Sequence, residues 1–192
     1  MQELKDRIVK EGKVLPGNII KVDGFLNHRI DTELMTHIAD EFGKHFNMDE
    51  VTMILTAEAS GIALSAIVAQ RFHKPMLFAK KAKSDNIEGG LYQSDIFSYT
   101  YKKKVTLLVA KDWLSADDKV LIIDDFMANG EAMRGLCDIV EAAGATLVGI
   151  GCAVEKGFQG GGDRFRASGI PYKALAVIEK ADENGFVFRE EN

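Results

Sequence analysis

The sequence predicts an α/β fold: a mostly parallel central sheet flanked by helices. Short apolar runs of strand length recur at 51–56, 75–79, 120–123 and 146–154. Helical patterns lie between them, at 62–72 and 130–143. Such alternation sets parallel strands side by side with helices on both faces. The chain has 192 residues, 46% of them hydrophobic and 28% charged. That is enough for one domain spanning residues 1–192, and too apolar for disorder.

Taken in order, residues 2–11 predict a short amphipathic helix with Leu4 and Ile8 four apart. Residues 12–30 have no clear periodicity, since Gly12, Pro16, Gly17 and Gly24 interrupt them. Asp31 is placed to cap a helix reaching about residue 46. In that helix Leu34, Ile38 and Phe42 stack at i+4 spacing, with Met35, Ala39 and Phe46 beside them. Residues 80–90 are polar and contain glycine, hence a loop, and 91–100 and 104–110 carry β-formers that can pair as a hairpin.

Val120–Ile123 reads as a β-branched strand ending in two aspartates. The helix that follows has Met133, Leu136, Val140 and Ala143 on one face and Gly144 just past its end. A helical turn at 163–168 and short strands at 174–178 and 186–188 complete the chain. Ligands of parallel sheets sit beyond the carboxyl ends of the strands. Residues 56–61, 80–86, 124–132 and 155–158 therefore fall along one rim.

Composition excludes several classes of function. A formal charge of −5 suits a nucleic-acid binder poorly, because phosphate neutralisation needs a basic face. Cys137 and Cys152 lack CxxC spacing, which points to a reducing cytoplasm and to small buried thiols. The opening MQELKDRIVKEG has no apolar core of a secretory signal. No run of about 18 apolar residues exists, so no membrane span is expected. His28, His37, His45 and His73 lack metal-ligand spacing.

The segment Val120-Leu121-Ile122-Ile123-Asp124-Asp125-Phe126-Met127-Ala128-Asn129-Gly130-Glu131-Ala132 carries the most chemistry. An apolar strand delivers two carboxylates, a turn of small residues follows, and a helix begins. A helix start offers unpaired N–H groups and the positive end of a dipole, which suits phosphate. The carboxylates stand where sugar hydroxyls would donate to them.

This run resembles the signature that binds phosphoribosyl pyrophosphate (PRPP) in type I phosphoribosyltransferases. Asp23-Gly24-Phe25-Leu26-Asn27-His28-Arg29-Ile30-Asp31, Glu58-Ala59-Ser60-Gly61-Ile62-Ala63 and Val154-Glu155-Lys156-Gly157-Phe158 accompany it, in the order and spacing of the bacterial xanthine branch. The resemblance implies the type I fold, with residues 1–46 including a small hood over the base. It implies a 5′-phosphate loop of Ala128, Asn129, Gly130, Glu131 and Ala132. Asp124 and Asp125 would face the ribose hydroxyls as the catalytic pair, and Ile20, Asn27 and Lys156 would contact the base.

In the common signature threonines occupy the places of Asn129 and Ala132, so more weight falls here on backbone N–H groups and on the Asn129 amide. Ala59 and Ser60 resemble the pyrophosphate loop, which often holds a cis peptide. Lys80, Lys81 and Lys83 read either as a solvated turn or as pyrophosphate contacts, with 81–90 closing as a lid. Lys156, with Phe158 two residues on, suits a purine carbonyl and a stacking face.

The implied partners are PRPP and a purine base, and the implied cofactor is Mg²⁺ held mainly through PRPP. The implied assembly is a cytoplasmic homodimer. Xanthine is the expected base. Guanine, hypoxanthine, adenine and orotate transfer are alternatives, as is a non-catalytic PRPP-sensing regulator.

Overall fold

The computed structural model describes residues 1–82, 90–98 and 103–190. The helix α1 (Gln2–Glu11) is followed by a hairpin of β1 (Lys13–Leu15) and β2 (Ile19–Lys21), then by a wide helical turn at Asp23–Asn27 and α2 (Thr32–His45). The hairpin and the wide turn occupy the stretch that lacked periodicity, and α1 and α2 flank it. The hairpin turn is made by Gly17 and Asn18, both at positive φ, residue types that tolerate the left-handed region. Asp31 caps α2 as expected, its carboxylate accepting from Leu34 N at 3.2 Å.

The main sheet is built from β3 (Met53–Ala57), α3 (Gly61–Arg71), β4 (Met76–Ala79), β7 (Lys119–Met127), α4 (Glu131–Ala142), β8 (Thr146–Lys156), α5 (Gly161–Ala167), β9 (Tyr172–Asp182) and β10 (Gly185–Phe188). Its strand order is β10-β9-β8-β7-β3-β4, parallel throughout except for the β9–β10 pair. The expected hairpin forms between β5 (Leu91–Ser98) and β6 (Lys103–Ala110), and a bridge from Lys80 to Leu108 connects it to the end of β4. Most of the expected lid, including position 83, lies outside the described residues. No described helix is long and apolar enough to cross a membrane.

Two apolar layers enclose the sheet. On one face Leu121 and Ile123 of β7 pack with Leu4, Ile8, Phe42 and Leu64. On the other Val120 and Ile122 pack with Met133, Leu136 and Ile139 of α4 and with Leu107 of the hairpin. A strand covered on both faces is apolar continuously rather than alternately, which is why 120–123 reads as an unbroken run. Gly144 takes φ +71 after α4, the left-handed residue that ends a helix.

Gly149 and Gly151 of β8 are small because the rings of Phe46 and Phe42 lie directly against them. Phe42 is fully buried. Phe42→Ala removes a ring that those glycines cannot replace. It is expected to cost about 3–5 kcal/mol of stability, read from a denaturant midpoint.

Candidate active site

β7 does not stop at its acid pair. It continues to Met127, with Asp124 opposite Cys152 and Phe126 opposite Val154. The pair is also withdrawn from solvent, Asp124 at 7% exposure and Asp125 at 3%. The strand therefore runs past the two aspartates at which the sequence pattern ended it. β8 runs on to Lys156, so the backbone keeps a ladder partner beyond the carboxylates. Lys156 is thus the last residue of β8 rather than one that follows it.

Asp125 joins three distant segments. Its Oδ1 accepts from Ser60 Oγ at 2.8 Å, and its Oδ2 accepts from Asn27 Nδ2 at 3.0 Å. The turn carrying Ala59 and Ser60 contains a cis peptide between Glu58 and Ala59. Glu58 accepts from Lys81 N at 2.6 Å, so Lys81 leaves β4 beside that turn. Its charge acts on Asp124. Ala59, Ser60 and Lys81 are exposed, and a cavity lined by Glu58, Ala59, Lys81, Lys103 and Val105 opens beside them.

Asp124 is held differently. Its Oδ1 accepts from the N–H of Asp125 at 2.9 Å. A Cβ on Gly61 would collide with Asp124 Oδ1 and Thr56 Oγ1, so only glycine fits at the start of α3. Thr56 Oγ1 is itself buried without a hydrogen-bond partner. Burial, and then the adjacent Asp125 charge, push the Asp124 carboxyl well above the ordinary range.

Ala128, Asn129 and Gly130 form the turn between β7 and α4, with Gly130 at φ +83. Sequence reasoning gave the Asn129 amide a donor role. In the structure its Oδ1 accepts from Glu131 N at 3.2 Å, a local cap that uses the amide oxygen and not its NH2 group. The Glu131 carboxylate turns toward the hairpin, accepting from Phe97 N at 3.3 Å and pairing with Arg134 at 3.2 Å. The Arg134 hydrogen bond, chiefly, holds the Glu131 carboxyl below its usual range. Ala132 lies half-buried in the first turn of α4.

At the C-terminal end of β8, Lys156 Nζ stands 5.4 Å from the centroid of the Phe126 ring. Phe126 is thus the ring that Lys156 meets. Phe158, the expected aromatic, sits 38% exposed on the turn Gly157–Gln159. Burial lowers the Lys156 ammonium, and the Asp125 charge opposes that shift. Ile20 is 6% exposed in β2, within the apolar cluster against which Phe126 packs.

The acid pair, Asn27, Ser60, Lys81 and Lys156 are therefore linked by bonds or by charge, while Ile20 joins them only through packing. Sequence reasoning missed Phe126, although it follows the acid pair directly. It also missed Glu155, fully buried and held by Arg166 at 2.5 and 2.9 Å and by Tyr172 Oη at 2.8 Å. Burial raises the Cys137 thiol to about 11 and the Cys152 thiol further. Neither supplies a thiolate near neutral pH.

The raised Asp124 value has a consequence for stability. Between its ordinary range and its raised value the folded chain holds more protons than the unfolded one. Folding stability from this group is thus greatest at low pH and falls as pH rises above about 3.8. Asp124→Asn, which cannot ionise, is expected to raise the thermal midpoint at pH 7 relative to the unsubstituted chain. The gap should close toward pH 4. Thermal scans across that interval check it.

Residues 27–180 match the family model described as phosphoribosyl transferase domain. Two curated relatives carry the name xanthine phosphoribosyltransferase. The one from Bifidobacterium longum is 52% identical over 180 residues, 93% of each chain, and the one from Lachnoclostridium phytofermentans is 50% identical over 191 residues, 98% of each. Among solved structures, an APRTase from Giardia lamblia complexed with 9-deazaadenine aligns with a TM-score of 0.78 at 20% identity, covering 92% of this chain and 98% of its own. An adenine phosphoribosyl transferase from Trypanosoma brucei aligns with a TM-score of 0.74 at 24% identity, covering 95% and 83%. At those identities the structural likeness carries the fold alone. Together with the family model and relatives near 50% identity over almost the whole chain, it makes this protein a member of the phosphoribosyl transferase family.

Proposed function

We propose that the chain is a xanthine phosphoribosyltransferase, moving the 5-phosphoribosyl group of PRPP onto xanthine to give XMP and pyrophosphate. The carrying observation is Asp125. One buried carboxylate bonds both Asn27, from the base side, and Ser60, from the pyrophosphate-side turn. A group in that position lies where base, ribose and leaving group must meet.

The reaction breaks the bond from ribose C1 to a pyrophosphate oxygen and forms one from C1 to a ring nitrogen of xanthine, whose proton is lost. Positive charge grows on the ribose ring as the leaving group departs. Asp124 and Asp125 stabilise that charge and accept from the ribose hydroxyls. Ala128–Ala132 take the 5′-phosphate, and Ala59, Ser60 and Lys81 take pyrophosphate. Asn27 and Lys156 orient the base, Lys156 donating to a ring carbonyl, with Ile20 shaping the apolar wall. Fixing two substrates in line supplies much of the acceleration, and no covalent nucleophile is required.

The donor set suits Mg²⁺ bound mainly through substrate. No described group of three or more acidic, His or Cys side chains is arranged to hold a metal alone. Mg²⁺ commonly takes one or two carboxylates and completes its shell with phosphate oxygens and water. Asp124 and Asp125 are the carboxylates on hand, and the ion would offset charge on the leaving pyrophosphate. Residues 1–46 form the hood, within one domain spanning the chain. The working form is proposed to be a cytoplasmic homodimer.

The deciding measurement is XMP formation from PRPP and xanthine with Mg²⁺, beside guanine, hypoxanthine and adenine. Xanthine should give the highest kcat/KM, and a preference for adenine rejects the base assignment. Lys156→Met is expected to raise KM for xanthine about tenfold or more, the size of a hydrogen bond from a charged donor. KM for PRPP should move little. Asp125→Asn should lower kcat about 100-fold or more while the fold, read by circular dichroism, persists.

A further inference from the structure

The 5′-phosphate loop faces a problem that its own residues do not solve. A turn binds an anion only when its N–H groups point at the anion and its carbonyl oxygens point elsewhere. A single inverted peptide puts a partially negative oxygen against the phosphate. In this structure two of the turn's three carbonyls are drawn off by α5, and the third, Gly130 O, accepts from Arg134 N within α4. Gly161 N donates to Ala128 O at 3.2 Å, and Arg164 Nη2 donates to Asn129 O. Neither donor lies in the loop or near it in sequence.

The approach is close. A Cβ on Gly161 would collide with Ala128 O and crowd Gly130 N and Asn129 C. Gly130 in turn lies against the Phe165 ring and the Arg164 guanidinium. Arg164 also acts on the Glu131 carboxylate, an acidic group unwelcome beside a bound phosphate, and helps hold it below its usual range.

α5 is itself fixed at its far end. Arg166 grips the fully buried Glu155 of β8, which also accepts from Tyr172 Oη. Gly162 is without a side chain where the Glu155 carboxylate sits. The short helix is thus bolted to β8 one residue before Lys156, and its remaining arginine reaches back to the loop.

We infer that Arg164 is a positioning residue for the 5′-phosphate: it holds the Asn129 carbonyl outward so that the loop presents N–H groups to the anion. This rests on the phosphoribosyl reading above, but not on which base is used. The experiment measures equilibrium binding of ribose 5-phosphate and, separately, of pyrophosphate by the full chain, using calorimetry. Arg164→Met, which keeps the aliphatic stem and loses the donor, should weaken ribose 5-phosphate by about 5- to 20-fold while pyrophosphate changes less than about twofold.

Arg164→Lys, a shorter donor, should recover part of the loss. Unchanged ribose 5-phosphate affinity in Arg164→Met overturns the inference, as does an equal loss for pyrophosphate. If Arg164→Met fails to fold, Arg164→Leu, which also lacks a donor, is judged by the same two criteria. Xanthine plays no part in the measurement, so a wrong base leaves the result standing. Absence of ribose 5-phosphate binding by the unsubstituted chain overturns the loop assignment and this inference together.

Discussion

Asp124 and Asp125 stand side by side where β7 is almost closed to water, and like charges in such a place oppose each other's ionisation. The structure answers this unequally. Asp125 receives side-chain donors from Asn27 and Ser60, while Asp124 accepts from the backbone N–H of its neighbour. Within the described residues one acid is therefore supported by hydrogen bonds and the other is pushed toward its protonated form. The arrangement is costly for folding and useful for chemistry that generates positive charge. A growing cation on the ribose would lower the cost of ionising both acids together. Active sites commonly hold such unfavourable groupings because the scaffold around them is overdetermined.

That scaffold is the double-sided core. β7 has apolar partners on both faces up to Ile123, so its C-terminal end is carried to a fixed place. The neighbouring β3 and β8 deliver the Ser60 turn and Lys156 to the same rim, as the parallel topology requires. The N-terminal segment before β3 is built less regularly, from α1, a small hairpin, a single wide turn and α2. Its bond from Asn27 to Asp125 spans 98 residues of sequence.

What could be read in advance followed the range of the interaction. The Asp31 cap, the apolar face of α4 and the Gly144 ending depend on neighbours within a turn or two, and the sequence pattern contained them. The strand ends were misplaced because pairing, not composition, decides them. Asp124 and Asp125 are poor strand formers on their own, but β8 gives them a ladder. The cap from Asn129 Oδ1 to Glu131 N, two residues on, is a local bond invisible to a comparison of residue types. Arg164, Arg166 and the pairing of Glu155 escaped, since nothing periodic connects 129, 155, 164 and 172. The run Gly160-Gly161-Gly162 before two arginines was the available signal: its glycines mark where another backbone and a buried carboxylate come too close for any side chain.

The solved structures named for adenine share this scaffold at 20% and 24% identity, so the fold alone does not carry the choice of base. Lys156 is the residue on which the oxo-purine reading turns. An ammonium favours a carbonyl and disfavours the exocyclic amine of adenine, provided it keeps its proton. Burial works against that proton, and Asp125 works for it. The carboxylate proposed to steady the ribose is therefore also one that helps keep Lys156, the lysine proposed to orient the base, charged. Loss of the Asp125 charge would weaken both jobs at once, which couples base selection to the chemical step through a single side chain.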